Sequence, residues 1–122
     1  MNKETEAVIK PLIATLASSF QLEVRVAPTS GEYLEAVLHR PELSRCFDAL
    51  SAALGPPVKD FGKVGTFDRD VKRIVDALGG IRPDQCLFAK SLPGQQMVYA
   101  ALWPWASDPT KVTIKVGATP PP

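Results

Sequence analysis

Apolar positions recur along this chain at two periods. Val8, Leu12, Ile13, Leu16 and Phe20 fall at helical spacing behind Asn2, a good capping residue, and predict a first helix. Pro11 lies inside that pattern, so the helix either starts there or is kinked. Leu22, Val24 and Val26 then alternate strictly with Gln21, Glu23 and Arg25, which predicts a half-buried strand with one wet face. Thr29-Ser30-Gly31-Glu32 has capping-box spacing and predicts a short helix with Tyr33, Leu34, Val37 and Leu38 as its stripe. Arg40-Pro41 breaks it. The next helix is predicted from Pro41 to Leu54, with Leu43, Phe47, Leu50 and Leu54 on one face, and Gly55-Pro56-Pro57 stops it.

After an irregular stretch from Val58 to Thr66, a further helix is predicted behind Thr66 or Asp68. Phe67, Val71, Ile74 and Leu78 form its stripe and Gly79-Gly80 its left-handed end. Gln85 to Trp105 reads as a β-hairpin around Leu92-Pro93-Gly94-Gln95, where Pro and Gly suit the two central positions of a type II turn. An even loop sets Phe88 opposite Tyr99. Lys90, Met97 and Ala101 then share that face, while Leu87, Ala89, Val98, Ala100 and Leu102 take the other. The second set is purely apolar and is assigned to the core. Val112, Ile114 and Val116 alternate with Lys111, Thr113 and Lys115 in a last strand.

The predicted order is α-β-α-α-α-β-β-β. It describes a single α+β domain over residues 1–117, with about four helices packed on one face of a mostly antiparallel sheet of about four strands, and a Pro-rich tail at 118–122.

At 122 residues and 45% hydrophobic, the chain has material for one core and not two. A net charge of +1 provides no global field, so composition points to neither nucleic acid nor an anionic membrane. Cys46 and Cys86 lack metal-ligand or redox-motif spacing and read as two buried thiols. The acidic, proline-interrupted N-terminus is a poor secretory signal and no apolar run reaches transmembrane length, so a cytoplasmic, bacterial-type protein is expected.

Candidate chemistry is sparse. His39 is the only histidine, which excludes a multi-histidine metal site, and Cys46 lies seven residues away across a proline break. Asp68 and Asp70 read as helix-start residues and Glu32 and Glu35 as a solvated face. No catalytic residue, metal ligand or cofactor is expected, and the balance is against an enzyme. Two stretches retain physical content. Gly62, Lys63, Gly65 and Thr66 form a glycine-containing loop running toward a helix N-terminus, an arrangement that favours a phosphate-like anion, although Asp68 and Asp70 sit where the anion would. Phe88, Lys90, Met97, Tyr99 and Trp103 form a mixed hairpin face that Arg25, Lys111 and Lys115 would frame if they lie on the same side. The reading that follows is a non-catalytic module binding a protein partner or a second copy of itself through that face. The alternative is a small-ligand binder or enzyme using the loop.

Overall fold

The computed structural model describes residues 3–26 and 33–119. Helix α1 spans Lys3–Ser19 and passes through Pro11, which is exposed, so the carbonyl bond that proline cannot make is lost on the helix's wet side. Strands β1 (Leu22–Val26) and β2 (Leu34–His39) follow, then a 3-10 turn (Arg40–Glu42) and α2 (Leu43–Leu54). Helix α3 covers Arg69–Ala77, and β3 (Cys86–Leu92), β4 (Gln96–Pro104) and β5 (Lys111–Thr119) complete the order. All neighbours in the five-stranded sheet are antiparallel, in the order β1-β2-β5-β4-β3. The fold is α+β, and among the described residues it has three α-helices and five strands where about four of each were expected. Among the described residues no helix is long and apolar enough to cross a membrane. Strand β5 continues two residues past the expected start of the tail.

Three expectations are corrected. The helix expected around Tyr33–Leu38 is strand β2, because Ala36 completes a second pattern in which Leu34, Ala36 and Leu38 face the core together. A run this short satisfies either period, and six ladder positions against β5 decide for the strand. The capping box at 29–32 lies outside the described residues. The hairpin register is also different. Leu92 pairs with Gln96, leaving three loop residues, with positive φ at both Gly94 (79°) and Gln95 (60°). An odd loop shifts the register by one, so Phe88 faces Ala100 while Ala89 faces Tyr99, and β3 is turned over relative to the expected pairing.

The third correction is the layering. Helices α1 and α2 cover one face of the sheet, where Ile9, Leu12, Leu16, Cys46 and Leu50 pack on residues such as Phe88, Leu102 and Ile114. Phe47 meets Phe88 edge-on with centroids 5.1 Å apart. Helix α3 covers part of the opposite face, its Val71, Ile74 and Val75 resting on Leu87, Met97 and Ala101. Its N-terminus is capped by Asp68, whose carboxylate accepts from the Val71 N–H at 2.9 Å. There are therefore three layers, and the third is incomplete.

The outer side of β3 is closed by Lys59, which bridges Leu87 through the backbone and donates its ammonium to the carbonyls of Pro83 (2.6 Å) and Gln85 (2.5 Å). Burial lowers the Lys59 pKa, and the two carbonyls provide the acceptors that make a buried ammonium tolerable.

Candidate functional site

Because α3 rests on β3 and β4, no helix among the described residues lies over the same face of β5, β2 and β1. The pleat aims Trp103, Thr113, Val37 and Glu23 along one row of that face, and Lys115 and Glu35 along the next. Lys115 Nζ lies 3.6 Å from Glu35 Oε1 and 4.1 Å from the centre of the Trp103 ring. The Tyr33 hydroxyl donates to the same Glu35 oxygen at 3.1 Å. Burial first, then this bond and the carboxylate's charge, push the Tyr33 hydroxyl up to about 12. Burial, followed by the Glu35 charge, also raises the pKa of Tyr99.

Trp105 follows β4 and folds onto the same face. Its indole N–H donates to Thr113 Oγ1 at 2.8 Å, which fixes the ring, and Arg25 and Lys111 stand over it at 5.7 and 5.0 Å from the centroid. Each cation also has an acid, Glu23 for Arg25 at 3.8 Å and Asp108 for Lys111 at 3.9 Å. The Trp103 indole nitrogen, by contrast, is buried without a hydrogen-bond partner. The result is a surface of two indoles and two phenols, crossed by cations that are already paired.

Of the hairpin residues singled out in the sequence, only Tyr99 and Trp103 belong to this surface. Phe88 is fully buried on the other face, Lys90 lies on the Phe88 side of β3 and is exposed, and Met97, although on the right face, is under α3 and 4% exposed. The conditional frame of Arg25, Lys111 and Lys115 does lie on this side. Trp105, Tyr33, Glu35 and Thr113 were missed. Reading 33–38 as a strand is the signal that would have found Tyr33 and Glu35.

The loop residues do not converge. The Gly62 N–H donates to Pro83 O at 2.7 Å and the Lys63 N–H to Asp60 O at 3.3 Å. Gly65 is crowded, since a Cβ there would stand 2.8 Å from the Phe67 ring. Lys63 and Thr66 are exposed, and α3 begins only at Arg69, with Asp68 already on its first turn and Asp70 beside Arg73 at 3.7 Å. A helix start that holds its own carboxylates has little to offer an anion.

His39 and Cys46 do not come together. His39 is exposed at the end of β2, whereas Cys46 is fully buried in α2. Burial pushes the thiols of Cys46 and Cys86 up to about 12, aided by Glu42 and Asp60 respectively, so both stay protonated at neutral pH. Among the described residues no group of three or more His, Cys, Asp or Glu could hold a metal ion. Two hollows are open grooves, one of about 600 Å³ beside Phe20, Val37 and His39 and one of about 450 Å³ between α1 and α2. No family model, curated protein or solved structure matches the chain.

Proposed function

We propose that this chain is a non-catalytic interaction module that docks a protein partner on the uncovered part of its second sheet face. The observation that carries the reading is the pairing of Trp105 with Arg25 and Lys111 over strands that no helix covers among the described residues, beside the contact of Lys115 with Trp103 at the border of α3. Tyr, Trp and Arg supply a large contact area at low entropic cost and dominate the energetics of protein interfaces. Thr113 and Glu35 hold two of these side chains in place beforehand, which lowers the cost of ordering them on binding.

Nucleic acid is the weaker partner for the same surface. Phosphate recognition draws on cations free to release counterions, whereas Arg25, Lys111 and Lys115 each have an acidic neighbour. A cytoplasmic setting belongs to the proposal, and two free, buried cysteines are compatible with it.

Trp105→Ala with Lys111→Glu tests the reading, since both side chains lie at the surface rather than in either core. Affinity capture from lysate, compared quantitatively between the wild type and this folded double variant, is expected to show a protein recovered only by the wild type. Recovery of the same proteins by both, or of none by the wild type, would remove the docking surface.

A further inference from the structure

Strand β1 ends the sheet, and no backbone hydrogen bond among the described residues occupies its outer side. An edge of this kind presents a row of amide and carbonyl groups to any extended chain. Its side chains restrict which chain fits. Val24 projects on the α1/α2 side and is 49% exposed, while Glu23 and Arg25 lie together on the opposite face, 3.8 Å apart.

We infer that the occupant is β1 of a second copy, paired antiparallel about a two-fold axis at Val24. Side chains directly opposite in an antiparallel pair share a face, so only registers that join residues of like parity are open. Centring on Glu23 puts Glu23 against its own copy, and centring on Arg25 puts Arg25 against its own. Centring on Val24 puts each Glu23 against the other copy's Arg25 and Val24 against Val24. It is the one register of the three in which both charged contacts are attractive and the exposed apolar side chain is covered. The register of β1 against β2 shifts between Val24 and Val26, so Arg25 is itself the bulged residue, and its contacts with Glu23 and the Trp105 ring keep its side chain on the Glu23 face.

The axis stands perpendicular to the sheet, so the two copies keep the same face upward and their uncovered surfaces join into one. The strands β5-β2-β1 of each copy become a continuous floor, about 24 Å between its outermost strands, with an α3 at either side. This dimer does not rest on the partner proposed above, which a single copy could also bind.

Sedimentation equilibrium with charge reversals tests it. The wild type is expected to approach twice its 13.2 kDa as concentration rises, and less readily in high salt. Glu23→Arg alone and Arg25→Glu alone each create two like-charge contacts, and each should weaken dimerisation about tenfold or more. An equimolar mixture of the two variants should dimerise again, because every contact between unlike chains is then attractive. The exchange Glu23→Arg/Arg25→Glu should likewise restore the homodimer. The mixture guards against a folding defect, which the other variant could not cure. A wild type that stays at 13.2 kDa at its highest soluble concentration overturns the inference and makes the charges and the bulge devices that close the edge. Single reversals that dimerise as well as the wild type overturn it equally.

Discussion

Tyr99 lies across Gly117, its directly opposed residue on β5, so closely that a Cβ at position 117 would stand 2.7 Å from the phenolic oxygen and 3.0 Å from Tyr33 Cδ1. The glycine is required by this close approach, which lets two phenols share one strand crossing. Gly117→Ala should therefore destabilise the protein by about 1–3 kcal/mol as the rings are forced aside. Urea denaturation gives the cost, and an unchanged midpoint would mean that Tyr99 moves away freely.

The same phenols make the fold sensitive to alkali. Tyr33 is raised from 10.0 to about 12, and Cys46 and Cys86 from 9.0 to about 12. In each case the folded state holds its proton more tightly than the unfolded chain. The stabilisation is complete below the unfolded value and is lost as pH climbs through the window toward the folded one. Stability should hold steady to about pH 9 and fall from there to pH 12. Tyr33→Phe should flatten the part above pH 10, which denaturation midpoints measured across that range would register; an identical slope in the variant would contradict the assignment.

The hairpin turn contains a correctable strain. Gln95 is the one non-glycine residue with positive φ among the described residues, at 60°. Its side chain is exposed, and what the structure uses is its carbonyl, which accepts from Arg73 at 3.2 Å. Gln95→Gly keeps the carbonyl and removes the steric penalty of the left-handed region, against the greater entropy glycine loses on folding. We expect a gain of about 0.5–1 kcal/mol. Thermal melting should shift upward, and a downward shift would show that the turn tolerates Gln95 without strain.

That turn also explains where the sequence stopped being legible. Most of the elements could be read from it: α1 from Leu12, Ile13 and Leu16, α3 from Val71 and Ile74, β5 from Val112, Ile114 and Val116, all buried as their periods require. Leu43, Phe47 and Leu78 lie on the predicted stripes but are only partly buried. Val24 fails outright, because its strand lies at the sheet edge, beyond the cover of the helices. Pairing Phe88 with Tyr99, as an even loop would, places Leu87 and Ala101 on opposite faces and hides the second apolar patch. In the true register Leu87, Met97 and Ala101 coincide and form the seat of α3. One loop residue thus separates a two-layer reading from three layers, and periodicity within a strand carries no information about it. The placement of the candidate surface was partly legible for the same reason. Tyr99, Trp103 and the three cations come from strands whose own alternation was right, while Phe88 was carried to the wrong side by the register, and Trp105 reaches the face only through a bend after β4.

The strand order has a consequence for how the chain comes to be folded. Strands β1 and β2 form one hairpin and β3 and β4 another, and the two hairpins are hydrogen-bonded into one sheet through β5, which lies between them and follows the other four in sequence. During synthesis β2 and β4 must each wait with an open, largely apolar edge until β5 emerges. A nascent or truncated chain lacking β5 is two hairpins without a shared sheet, so the most hazardous moment for misassociation comes just before the fold closes.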